Sequence, residues 1–123
     1  PKKKEVFRFP RDQERNGKFI FTGHILQSQD VDTIATLLKM DCFIWDVNLA
    51  NNNLGDIVDG TPLIFKILDV LKINKGVSCV NLSNNKLQGI SDKLAELLYA
   101  NSNINYIYFT FIYGHWNAGA VQA

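Results

Sequence analysis

The sequence predicts a mixed α/β fold in which short parallel strands form one layer and helices form another. The stretch Val47–Leu54 (VNLANNNL) returns 33 residues later as Val80–Leu87 (VNLSNNKL), with six identities in eight positions. Helical patterns, with apolar residues at the i, i+3, i+4 spacing, lie between such strand-like stretches. A unit repeated in this way cannot cover its own apolar side, so it stacks on its neighbours.

The repeated stretch follows the frame L-x-x-L-x-L-x-x-N-x-L, and four copies of it start at residues 16, 44, 77 and 104. The second copy holds Ile44, Val47, Leu49, Asn52 and Leu54 at the frame places, and the third holds Val77, Val80, Leu82, Asn85 and Leu87. The first and last copies are weaker, because the ninth place holds His24 in one and Ile112 in the other.

This frame resembles the leucine-rich repeat, and the unit length resembles its long, ribonuclease-inhibitor-like subtype. The resemblance implies a right-handed β-α solenoid of about four units, with an inner parallel sheet and outer helices. It covers residues 16–113, between an N-terminal flank (1–15) and a C-terminal tail (114–123). It also implies that Asn52 and Asn85 turn inward and form a structural ladder of hydrogen bonds with the surrounding backbone, since a buried amide needs its partners.

The helix starts have recognisable signals. Asp30 can cap the first helix, Thr61 with Pro62 suits the N-cap and first turn of the second, and Ser91 opens the third. The second unit is about six residues longer than its neighbours, which we assign to a loop at Asp56–Gly60. Such a loop is either a contact site or a tolerated insertion.

A doubly wound α/β domain is the rival fold for alternating strands and helices. That fold favours continuously apolar strands and a glycine-rich first turn. Here the strands alternate, with Val47 and Leu49 expected inside and Asn48 and Ala50 outside, and no phosphate-binding loop follows a strand. The alternation favours the repeat fold.

The sequence predicts no enzyme, metal site or cofactor. His115 lacks a nucleophile and an orienting acid at a justified spacing, and His24 is expected to be a core imidazole at the ladder place. Cys42 and Cys79 are expected to be free, buried thiols of a reducing compartment. Two cysteines and two distant histidines do not make the ligand spacing of a zinc site.

The outward strand places offer a binding surface on the concave face that the resemblance implies. Aromatic rings on a solvent-exposed sheet carry large apolar area and are frequent in binding hot spots. The predicted partner-binding residues are Trp45, Asp46, Asn48, Asn81, Tyr106, Tyr108 and Phe111. The alternatives are that Tyr106 and Tyr108 only shield the last strand, or that the next repeat of a longer protein covers part of it.

Both ends of the chain leave alternatives open. Val6, Phe7 and Phe9 suit a short extra strand or a flap over the first unit. The apolar stretch Ile104–Trp116 lacks the polar outer face of a terminal cap. Three explanations are open. Further repeats follow this stretch, the tail folds back as an irregular cap in which Trp116 covers the last unit, or two chains pair through these ends as a homodimer.

We therefore expect a protein–protein interaction module, a scaffold or adaptor, in the cytoplasm, or in a host cytosol if it is a bacterial effector. The partner is expected to be another protein rather than nucleic acid or membrane, since the net charge is only +1. The alternative is a repeat segment of a larger multidomain protein whose activity resides in another domain.

Overall fold

Strands and helices alternate through the residues that this computed structural model describes, which are 16–40, 43–110 and 117–122. The strands are β1 (Lys18–Ile20), β2 (Asp46–Asn48), β3 (Ile57–Val58), β4 (Thr61–Pro62), β5 (Cys79–Asn81), β6 (Tyr106–Thr110) and β7 (Asn117–Gln122). The helices are α1 (Ser28–Met40), α2 (Ile64–Leu71) and α3 (Ser91–Ala100). The predicted mixed α/β class is confirmed.

The main sheet has the strand order β1-β2-β5-β6-β7, so strands that follow one another in the four frame copies are also neighbours in space. The first four strands are parallel, and only β7 runs antiparallel, against β6. Val47 of the second copy pairs with Val80 of the third, which is the register that the repeated frame predicts.

One face of this sheet builds the core. Phe19, Val47, Val80 and Ile107 lie in one register row across the four parallel strands, and all four are fully buried. They belong to a single apolar cluster with the buried sides of the helices: Val31, Ile34 and Leu38 of α1, Ile64, Ile67, Leu68 and Leu71 of α2, and Leu94 and Leu97 of α3. A doubly wound domain needs helices on both faces of its sheet, whereas the three described helices cover one.

The helix starts agree with the sequence prediction in part. Helix α3 begins at Ser91 as predicted, although its N-cap residue, Ile90, makes no side-chain capping bond. Asp30 lies inside the first turn of α1 and caps it from there, because its carboxylate accepts a hydrogen bond from the Gln27 backbone N–H at 2.9 Å.

The prediction for the start of α2 is wrong. Thr61 and Pro62 form strand β4, which pairs antiparallel with β3 around a turn at Asp59 and Gly60, and both turn residues have positive φ (53° and 81°). Helix α2 begins only at Ile64. No side-chain cap is present there, since the Ile64 N–H already donates to the Leu54 carbonyl at 2.9 Å. The predicted loop at 56–60 is therefore the first part of a hairpin.

The C-terminal segment folds back as a strand. Strand β7 pairs with β6 in the register Ile107↔Val121 and Tyr108↔Ala120. Among the three alternatives for the apolar end, the described residues 117–122 fit the one in which the tail folds back. They form a regular strand, however, and not the irregular cap that was expected. Phe111, Trp116, His115, Cys42 and the predicted N-terminal strand at 6–9 lie outside the described residues.

Candidate functional site

The sheet face opposite the helices, which we call the open face, carries the outward side chains of the four parallel strands. Strand register sorts them into two rows. The first row is Lys18, Asp46, Cys79 and Tyr106, and the second row is Ile20, Asn48, Asn81 and Tyr108. All eight side chains are exposed or half-buried, so the open face is accessible along its whole width.

Two tyrosines stand at the β6 side of the open face. The side chains of Tyr106 and Tyr108 are 41% and 39% exposed, and their rings stack with centroids 6.2 Å apart and planes 14° from parallel. Their neighbours on β5, Cys79 and Asn81, are smaller and half-buried. The rings therefore form an aromatic wall beside a lower strip of the sheet.

Asp46 and Cys79 are cross-strand partners at the centre of the first row. Burial of the thiol, and then the charge and hydrogen bonding of the Asp46 carboxylate, raise the pKa of Cys79 above its ordinary value. Cys79 is a free thiol but only half-buried, so the expectation of a buried cysteine is wrong for it. No lysine or arginine of the described ranges forms an ion pair with Asp46.

Asn48 and Asn81 make the same local contact on neighbouring strands. The Oδ1 of Asn48 accepts from the Ala50 N–H at 3.1 Å, and the Oδ1 of Asn81 accepts from the Ser83 N–H at 2.9 Å. This Asx-type contact fixes each side-chain oxygen against the backbone at the end of its strand. The amide NH₂ groups then remain as hydrogen-bond donors on the open face.

Trp45 is half engaged in the fold. Its Nε1–H donates to the Asn16 carbonyl at 3.0 Å, and its ring lies so close to Gly17 that a Cβ there would come within 2.3 Å of a ring carbon. The Lys18 ammonium lies 5.8 Å from the ring centroid, and 44% of the tryptophan is exposed. Trp45 therefore holds the backbone just before β1 in place. Its predicted contact with a partner stays a prediction.

The two asparagines predicted as a ladder lie behind the strand ends, where both are buried. The Asn52 amide donates to the Phe21 and Leu49 carbonyls at 2.6 and 3.0 Å, and its Oδ1 accepts from the His24 N–H at 2.9 Å. Each contact to Phe21 or His24 reaches back into the preceding unit.

Asn85 makes the larger set of contacts. Its amide donates to the carbonyls of Leu49 at 2.8 Å, Leu82 at 3.0 Å and Ser83 at 3.3 Å. Its Oδ1 accepts from the N–H groups of Asn52 at 2.8 Å and Leu54 at 3.0 Å. One side chain thus joins the turns of two consecutive units.

A second pair of buried asparagines, which sequence reasoning missed, follows the helices. The Asn74 amide donates to the Leu38 carbonyl at 2.5 Å, and the Asn101 amide donates to the Leu71 and Asn74 carbonyls at 2.7 and 2.6 Å. Each lies three residues before a frame start, Val77 or Ile104, and this fixed offset was the available signal. Asp41 has the same offset before Ile44 but lies outside the described residues.

His24 does not occupy the position expected of it. Its side chain is exposed, and its ring stacks on Phe21 with centroids 4.0 Å apart. The ladder asparagines of later units bind carbonyls of the unit before them, and no described unit precedes the one that contains His24. A buried imidazole would have had no such partner there.

Comparison with protein-family models, with curated protein sequences and with solved structures found no match to this chain. No group of three or more metal-ligating side chains occurs among the residues that the structure describes. Within the same ranges, no helix is long and apolar enough to cross a bilayer. The open face is therefore the candidate functional site.

Proposed function

We propose that the chain is a leucine-rich-repeat solenoid of the ribonuclease-inhibitor-like type, with units starting at 16, 44, 77 and 104. Sequential strand order and the parallel register support this proposal. So do the two sets of buried asparagines, because side chains at the same place of successive units bind corresponding backbone groups of the preceding unit. Nearest-neighbour contacts of this kind are typical of repeat proteins.

We propose that the module binds another protein through the open face. The observation that carries this proposal is the stacked, exposed pair Tyr106 and Tyr108 in register with small polar side chains of β5. Tyrosine combines a large apolar surface with a polar tip and loses little side-chain entropy on binding. A sheet face with an aromatic wall gives a partner both contact area and room to approach.

Affinity capture with the whole chain tests the proposal through a matched pair of variants. Tyr99 lies on α3 and is 95% exposed, so Tyr99→Ala removes the same ring away from the open face. We expect proteins captured by the wild type to be retained by Tyr99→Ala and lost with Tyr106→Ala/Tyr108→Ala. Equal retention by both variants, with the fold intact by circular dichroism, would contradict the proposal.

A further inference from the structure

We propose that the open face recognises a basic side chain, arginine or lysine, carried by an extended segment of the partner. The cation is held by Asp46, and the rest of the side chain lies against Tyr106 across Cys79. This inference rests on the proposed function, because it names the chemistry of the partner for the same face.

The charge of Asp46 favours a basic ligand. Asp46 lies second in a row of four side chains, and no cation among the described residues pairs with its carboxylate. The neighbouring Lys18 is directed over the Trp45 ring instead. When a partner excludes water from a half-buried carboxylate, the carboxylate attracts a cation more strongly. Without a cation, the loss of water from the carboxylate is unfavourable. A partner carboxylate at this place would meet like charge.

The aromatic wall lies within reach of a long side chain bound at Asp46. Asp46 and Tyr106 are separated by one strand, and a spacing of about 4.8 Å between strands puts their backbones roughly 10 Å apart. Cys79, the side chain between them, is small and neutral at physiological pH because its pKa is raised. An arginine or lysine side chain spans this gap with its charged group at the carboxylate and its methylene stem against the Tyr106 ring, since such stems pack on apolar surface while the charge stays at the end.

The second row offers a pair of amide donors. The side-chain oxygens of Asn48 and Asn81 are already bonded to the backbone, so these residues present N–H groups. Main-chain carbonyl oxygens are the acceptors that every extended peptide offers. The rows are therefore complementary to a segment that brings a cation to Asp46 and carbonyl groups to the asparagines.

Fluorescence polarisation with labelled peptide pools tests the inference on the whole chain. Each pool holds seven-residue peptides, randomised except for a central arginine, lysine, citrulline or glutamate. Citrulline has the shape of arginine without its charge. We expect the arginine and lysine pools to bind at least about tenfold more tightly than the other two, which is the usual effect of a charge-assisted hydrogen bond.

Two isosteric variants decide the outcome. Asp46→Asn is expected to abolish the preference for a basic centre. Asp59→Asn is the control, since it removes the same charge from the exposed β3–β4 turn at a positive φ that asparagine tolerates. A preference that persists in Asp46→Asn, the absence of any preference, or no binding of any pool overturns the inference.

The proposed function can survive that failure. If all pools bind without regard to the central residue, and Tyr108→Ala weakens all of them, then the open face binds peptides and only the assigned chemistry is wrong. If capture of folded proteins is also indifferent to the tyrosines, the proposed function fails as well.

Discussion

Two pairs of asparagines, four positions apart in each repeated stretch, have opposite environments. Asn52 and Asn85 are buried behind the strand ends, and both the oxygen and the nitrogen of each amide are bonded to backbone groups. Asn48 and Asn81 are half-buried on the open face, and within the described ranges only their side-chain oxygens, not their nitrogens, are hydrogen-bonded. The same side chain therefore joins units at one place and presents donors to solvent at the other.

The fold is therefore sensitive to change at the buried pair, whereas the pair on the open face is available for binding. Removing a buried amide leaves several backbone groups without hydrogen bonds. When a half-exposed amide is removed, water can form hydrogen bonds with its former partners at little cost in free energy. The asparagines behind the strands should control stability, and those on the open face should control recognition.

The largest effect is expected for Asn85→Ala, which removes hydrogen bonds to five backbone groups of two units. The free energy of unfolding should fall by about 3 kcal/mol, the upper part of the range for orphaned buried polar groups. Urea denaturation measures it. The matched control Asn81→Ala should cost less than about 1 kcal/mol. Similar losses for both variants would remove the distinction drawn between the two pairs.

Asn101→Ala tests whether the second set of buried asparagines joins units in the same way. It removes two donated bonds to carbonyls of the preceding unit and one accepted from the Asn103 N–H at 2.9 Å. We expect a loss of about 2 kcal/mol in the free energy of unfolding. An unchanged urea midpoint would show that the helix ends do not need this contact.

Gly55→Ala probes how tightly the turns of two units approach. A Cβ at Gly55 would lie 2.2 Å from the Lys86 carbonyl oxygen, which is a backbone atom that cannot rotate away. Overpacking of this kind should destabilise the fold by about 1.5 kcal/mol. Gln88 holds the same place in the next unit and already carries a side chain, so Gln88→Ala is the control and should change the melting temperature little.

The reactivity of Cys79 tests whether its thiol interacts with Asp46 on the open face. The pKa of this thiol is raised by burial first and by the Asp46 carboxylate second, so Asp46→Asn should lower that pKa. Since the thiolate is the nucleophile, alkylation by iodoacetamide at neutral pH should become severalfold faster. The measurement uses a Cys42→Ser background, with Asp59→Asn as the control. An unchanged pH–rate profile would show that the Asp46 carboxylate does not influence the pKa of the Cys79 thiol.

The smallest effect is expected on the outer helices. Lys72 lies 2.8 Å from Glu96, and the hydrogen bond to this lysine is the main cause that lowers the pKa of Glu96 below 4.5. The ion pair therefore contributes stability above pH about 4.5, and this contribution is lost as pH falls through the lowered pKa of the folded state. Exposed pairs contribute little. Glu96→Gln should shift the melting temperature less than any variant above, and 1 M NaCl should abolish the shift.

Sequence periodicity predicted the core and its register well. The apolar places of the frame, such as Val47 and Val80, are buried in adjacent parallel strands because a fixed repeat length puts equivalent side chains in one row. The same periodicity placed Asp46, Asn48, Asn81, Tyr106 and Tyr108 on the open face, but the prediction that Ala50 points outward is wrong, because Ala50 is buried. It could not show that Trp45 is held by Asn16 and Gly17, since that contact joins different units.

Local signals failed where distant backbone groups competed with them. Thr61 and Pro62 form a favourable helix start in isolation, yet the turn at Asp59 and Gly60 draws them into a hairpin. The N–H groups of Leu63, the N-cap residue, and of Ile64, the first residue of α2, then donate to the carbonyl oxygens of Asp56 and Leu54 rather than to a capping side chain. His24 was misjudged for a related reason, because its burial would have required a preceding unit.

Spacing along the chain was enough to predict the repeat length, the alternation along each strand and the places of the frame asparagines. The backbone groups that those asparagines bind, the burial of Asn74 and Asn101 after the helices, and the pairing of β7 with β6 became known only from the folded chain. Those outcomes depend on contacts between units, and such contacts do not follow from the sequence pattern of a single unit.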